Sequence, residues 1–169
     1  GASTMARTDG GHMACKFTSS SAGTVDEIAA ILGLWTVGEE MTLALYDDDS
    51  NYPGTLLVDT AGTEGVSNAK VTAIEATDST QAISNSTVYW LGMSQNNSLR
   101  IYYDTGDTDQ TYVVADTYSS GTMTSPFPAS ASGLARKCSI WARGVATVDI
   151  NITPSAQALT LATPSPTVD

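Results

Sequence analysis

The sequence predicts an all-β domain, an antiparallel β-sandwich of jelly-roll type with polar arms at both ends. Three observations predict it. About nine or ten short apolar or alternating runs recur roughly every 8 to 14 residues, with turn signals between them. β-branched and aromatic residues fill those runs. No convincing amphipathic helix competes: in VDEIAAILGLW, Ile28, Ile31 and Leu32 fit a helical stripe, but Gly33 and the β-formers around it favour a strand. No internal repeat of fixed period is present.

The elements follow in order. Residues 1–11, GASTMARTDGG, are small and polar without periodicity and read as an N-terminal arm. HMACKFT (12–18) is the first expected strand, and 25–35 the second. MTLALY (41–46) alternates, with Met41, Leu43 and Leu45 on one face. TLLVDT (55–60) follows a turn, and AKVTAIEA (69–76) alternates Val71, Ala73 and Glu75. STVYWLGMS (86–94) is apolar on both faces, as a central strand should be. LRIYYD (99–104) and QTYVVAD (110–116) flank TGDTD, which reads as a hairpin turn. The last strands are expected within 137–153. The sandwich is therefore placed at 12–153, and the Pro/Thr/Ser-rich residues 154–169 read as a C-terminal arm.

Composition narrows the function classes. The chain has 169 residues, enough for one domain with a real core. Its net charge is −11, with three lysines and four arginines. Such a surface repels polyanions, which argues against nucleic acid and against anionic membrane surfaces as partners. Serine and threonine number 43, so hydroxyls rather than ions wet the surface. That pattern is common on extracellular and virion-exposed proteins. No run of about 18 apolar residues marks a membrane span. The chain begins at Gly1, which suits a processed chain, a truncated one or a fragment of a longer one.

Candidate sites are few. In YDDDSNYPGTLL, Asp47, Asp49 and Asn51 match the first ligand positions of an EF-hand, but Tyr52 and Val58 stand where glycine and glutamate are needed. A looser structural calcium site is one reading. The other is a turn, with Pro53 setting φ and Gly54 supplying a positive φ. Asp104, Asp107 and Asp109 carry the same two readings. His12, the single histidine, cannot complete a zinc site or a catalytic triad alone. Nucleophile-elbow, P-loop and dinucleotide fingerprints are absent. Glu27 and Glu75 lie in apolar segments and are the glutamates to examine for paired-carboxylate chemistry. The reading favoured is no enzyme.

Aromatic side chains are candidates for stacking on sugar rings. Trp90 and Trp141 look like core bulk, whereas Tyr52, Tyr102, Tyr118 and Phe127 read as exposed candidates for glycan contact. YSSGTMTSPFPAS (118–130) reads as a long polar loop suited to a contact surface. Sequons place glycosylation candidates at Asn85, Asn96 and Asn151. Cys15 and Cys138 either pair as a disulfide across a long loop or stay as two buried thiols.

The order of Phe17, Tyr46 before an acidic turn, Pro53 to Leu57, and Tyr89 to Leu91 resembles a diffuse group of jelly-roll modules. These are the choice-of-anchor and carbohydrate-binding-module-like β-sandwiches of bacterial surface proteins and phage virions. The similarity spans about residues 12 to 116. It implies a non-catalytic appendage that adheres, decorates or spaces, and it carries over no catalytic residue. The expectation is a surface-exposed structural module, a virion fibre, decoration or tail accessory or an extracellular filament subunit, assembling with copies of itself through its arms. VDINITPSAQALTLATPSP is the segment expected to exchange between copies. The alternative is a glycan-binding adhesive module with structural calcium.

Overall fold

The computed structural model describes residues 3–6, 11–65, 69–96, 100–115 and 121–146. Within them the chain is an antiparallel β-sandwich, and no helix occurs among the described residues. The strands are β1 (Ser3–Ala6), β2 (Gly11–Thr18), β3 (Gly23–Trp35), β4 (Glu40–Asp48), β5 (Pro53–Asp59), β6 (Thr63–Glu64) and β7 (Ala69–Ile83). They continue as β8 (Val88–Gln95), β9 (Arg100–Thr105), β10 (Thr111–Ala115), β11 (Ser132–Leu134), β12 (Arg136–Cys138) and β13 (Ile140–Ala146). One sheet runs β11-β10-β2-β8-β4-β5, with β6 also on β4. The other is built on β3, which pairs with β7, β13 and β9, while β9 also pairs with β1 and β12.

Period-two alternation positions the core. Met13 and Cys15 of β2, Leu43 and Leu45 of β4, and Leu91 and Met93 of β8 face inward. They meet Val25, Ile28, Ala30 and Leu32 of β3, Ala73 of β7 and Ile101 of β9. Each valine, leucine, isoleucine or methionine among them contributes about 1.5–3 kcal/mol on burial. The helical spacing of Ile28, Ile31 and Leu32 loses to this arrangement: β3 is extended, and Ile28 and Leu32 are fully buried between the sheets.

β8 is central, between β2 and β4, and both of its faces are covered. Its outer face carries Trp90, beside Ala14, Ala44, Tyr46 and Val114, under Met123 and Phe127. The segment around residues 121–131 thus adds a third layer over the β2/β8/β4 sheet. The opposite outer face, on β3, β7 and β13, has no such cover among the described residues, and it exposes Ile74 (46%) and Val145 (66%).

Three expectations change. Residues 1–11 read as an arm, yet Ser3–Ala6 pairs with β9 in register Ser3↔Tyr103 to Ala6↔Arg100. Four residues are too short to display alternation, and backbone pairing does not need it. TGDTD is not a hairpin turn within one sheet. β9 and β10 belong to opposite sheets, so residues 106–110 carry the chain across the sandwich. β11 and β12 cross back beside it, where the Gly106 N–H donates to the Ala135 carbonyl at 3.1 Å. The last change is at β7, which continues to Ile83, beyond the expected end at residue 76. The C-terminal arm at 154–169 lies outside the described residues.

Ser139 is a fork. Its N–H donates to Tyr102 of β9 at 2.8 Å, and its carbonyl accepts from Ile31 of β3 at 2.8 Å. β9 therefore leaves β3 after Ile101, and the β12–β13 strand enters between them. On the far side, a bridge from Thr60 to Thr77 ties the β5 edge to β7.

Candidate functional site

At the β4–β5 turn, DDDSNYPG builds a tight hairpin. Asp49 and Tyr52 exchange backbone hydrogen bonds (2.8 and 3.1 Å) around Ser50 and Asn51, whose φ values are 57° and 72°. This is a two-residue hairpin with both central residues left-handed, the geometry that matches strand twist. The positive φ thus falls on Ser50 and Asn51, not on Gly54 as expected. Pro53 opens β5, an outer strand of its sheet, where a missing N–H is tolerated. Gly54 is required by close approach instead. A Cβ there would collide with Asp47 Oδ1 and lie 3.1 Å from Asp49 Cβ.

The aspartates of the turn point to different partners. Asp47 Oδ1 accepts the Thr55 N–H. Asp48 Oδ1 accepts the Trp90 indole N–H at 2.7 Å, and its Oδ2 accepts the Asn51 N–H at 3.3 Å. Asp49 is exposed, and the Asn51 side-chain carbonyl accepts from Lys16 Nζ. In the β9–β10 crossing, Asp104, Asp107 and Asp109 are all exposed; Asp109 has φ 57°, and the Asp107 carbonyl accepts the Gln110 N–H at 3.1 Å. Among the described residues, no group of three or more His, Cys, Asp or Glu is gathered as a metal ion requires. Gly54→Ala is expected to push the Asp47 carboxylate off Thr55 and cost about 1–2 kcal/mol. Urea unfolding measures it, and an unchanged midpoint would show that the Asp47 contact is dispensable.

Aromatic rings line up beside this turn. Tyr52 and Tyr112 have centroids 4.5 Å apart, Tyr112 lies 5.5 Å from Trp90, and Lys16 Nζ sits 5.8 Å from the Trp90 ring. The Tyr52 hydroxyl donates to the Pro128 carbonyl. Phe127, expected on an exposed contact surface, is 2% exposed and packs edge-on against Tyr46 at 5.5 Å. The 121–131 segment is a lid over sheet apolar surface, so its one aromatic turns inward. Tyr46 donates its hydroxyl to the Thr124 carbonyl at 2.9 Å. Burial, and then the Asp59 charge, push its pKa up. Asp59 accepts the Met123 N–H at 3.0 Å, and burial raises its own pKa. Sequence reasoning missed this lid, although Pro126-Phe127-Pro128 was its available signal. Tyr102 is half-buried, with Lys70 Nζ 4.5 Å from its ring. Tyr118 lies outside the described residues.

The remaining candidates separate. Glu27 faces solvent and pairs with Arg143 at 3.3 Å. Glu75 is opposite inward-facing Ile28 in the register and accepts the Thr63 hydroxyl at 2.7 Å. The two glutamates are on opposite faces of one sheet and do not form a carboxylate pair. His12 is buried on the outer face of β2, in one row with Ser94 and Thr42. Asn85 is exposed in the β7–β8 turn. The Asn96 side chain is already engaged, accepting the Glu40 N–H at 2.8 Å. Asn151 lies outside the described residues.

Cys15 and Cys138 meet between the sheets. The Cys138 N–H donates to Cys15 Sγ at 3.4 Å, and Thr111 Oγ1 is 3.6 Å from Cys138 Sγ. Hydrogen bonding from Cys138 draws the Cys15 thiol below its ordinary range, against the opposing effect of burial. The proton that Cys138 shares with Cys15, together with burial, pushes Cys138 up. Both thiols are free.

No protein-family model matches the chain, and no curated protein or solved structure matches it.

Proposed function

We propose that this chain is a non-catalytic, surface-exposed structural module that assembles with copies of itself, in a virion or an extracellular filament. The observation that carries the reading is β1. A stretch with the composition of an arm is a strand added to β9 at a sheet edge. Only residues 7–10 join it to β2, which belongs to the other sheet. An edge strand on so short a connection is the kind of element that copies of a chain exchange. β7 and β13 supply further edges. Among the described residues, β13 pairs only with β3, and β7 pairs with β3 and touches Thr60 by a single bridge. The acidic, lysine-poor, hydroxyl-rich composition and the resemblance to surface and virion modules support placement outside the cell or on a virion.

Native mass spectrometry and negative-stain imaging test the reading on the full chain, on a chain lacking residues 1–10 and on one lacking 154–169. Oligomers or filaments are expected from the full chain, with loss of assembly in at least one truncation. A full chain that stays monomeric at high concentration would overturn the proposal.

A further inference from the structure

We propose that Cys15 and Cys138 form a latent covalent lock: a small-molecule disulfide oxidises them to a cross-link that ties the two sheets together. The lock is independent of assembly and follows from where the two thiols lie. Cys15 is on the inner face of β2, opposite Thr111 and Leu91 in the register of its sheet. Cys138 ends β12 in the other sheet, opposite Tyr103. They are separated by 123 positions in sequence, yet one sulfur is 3.4 Å from the other residue's backbone nitrogen. The two side chains therefore share one space between the sheets, with the Thr111 hydroxyl beside them donating to the Arg136 carbonyl at 2.6 Å.

Access is the obstacle, since the residues are 4% and 6% exposed. The fold supplies the opening at β12. That strand is three residues long and adjoins the Ser139 fork, so it is suited to local separation from β9 without unfolding the sandwich. β2, by contrast, is held on both sides, by β8 and β10. Exchange therefore begins at Cys138. With β12 open, Cys138 is in water and away from Cys15, so both effects that hold its proton are gone. Its thiolate then attacks one sulfur of the small disulfide, forming a mixed disulfide and releasing one small thiolate. When β12 closes, the Cys15 thiolate, favoured by the Cys138 N–H, attacks the Cys138 sulfur and expels the second small thiolate. The two protons lost by the cysteines end on the two small thiols. The small disulfide is reduced, and the protein dithiol is oxidised by two electrons.

A bond closing so long a loop restricts the unfolded chain strongly. The test uses the full chain in oxidised glutathione, followed by intact mass, thiol counting in denaturant, and a non-reducing peptide map. The expected result is an intramolecular Cys15–Cys138 peptide pair with no free thiol. The melting temperature should rise by roughly 10 °C and fall back when dithiothreitol is added. Cys15→Ser and Cys138→Ser should each abolish the product and the shift. Thiols that persist, a stable glutathione adduct, or intermolecular dimers as the main product would each overturn the proposal. All three are read on the unaltered chain, so the test does not rely on a variant folding.

Discussion

Trp90→Ala is expected to lower the unfolding free energy by about 3–5 kcal/mol, the largest loss from any single side chain of the outer layer. The indole is fully buried and stands at the centre of that layer, against Tyr112 and beside Tyr46. Its truncation leaves a cavity between the β2/β8/β4 sheet and the 121–131 segment. It also strips the indole N–H from Asp48 Oδ1, a carboxylate that helps shape the β4–β5 hairpin. Trp90→Phe separates these effects. It keeps most of the bulk, and its cost should be nearer about 1–2 kcal/mol, chiefly from the lost hydrogen bond and the smaller ring. Urea unfolding of both variants measures the two contributions. A Trp90→Ala loss below about 1 kcal/mol would mean that the third layer does not pack on the sheet as described.

Gly144→Ala should cost about 3 kcal/mol although it adds a single methyl group. Gly144 sits at a bulge, where the pairing of β13 with β3 shifts between Arg143 and Gly144. A Cβ there would overlap the Thr24 carbonyl oxygen and lie 2.7 Å from its carbonyl carbon and 3.0 Å from Val25 Cα. These are backbone atoms of β3, the strand on which the whole second sheet is built, so they cannot swing aside as a side chain can. β13 must therefore lift away from β3. The expected signature is lower stability together with faster hydrogen exchange across β13 and the adjoining half of β3. A substituted protein with unchanged stability would place the bulge elsewhere. Gly54 makes the contrast: there the collision is with the end of the Asp47 side chain, and the expected cost is smaller.

The two glycines also show where sequence reasoning stops. Both are visible in the sequence, and Gly54 reads there as a turn residue. Neither the carboxylate that crowds Gly54 nor the carbonyl that crowds Gly144 is a local property. Each is brought there by strand register. Phe127 follows the same logic. Its flanking prolines and hydroxyl residues read as exposed loop, and only the apolar outer face of β8 gives the ring a reason to turn inward. β1 escapes notice for another reason: it satisfies backbone groups of β9 and needs no pattern of its own.

The amino-acid sequence was enough to give the class of fold and the inner face of two strands, β4 and β7. Alternation at Met41, Leu43 and Leu45, and at Val71 and Ala73, obliges those side chains to share one side of an extended chain, and burial then selects that side as the core. The doubly apolar run of β8 likewise required a central strand covered twice. The tertiary structure alone decided which sheet each strand joined, that 106–110 crosses the sandwich instead of turning within a sheet, and that Cys15 meets Cys138. Alternation records only which face of a strand is buried. It carries no information about the partner across the core, because burial of apolar surface is non-directional and any complementary sheet satisfies it equally.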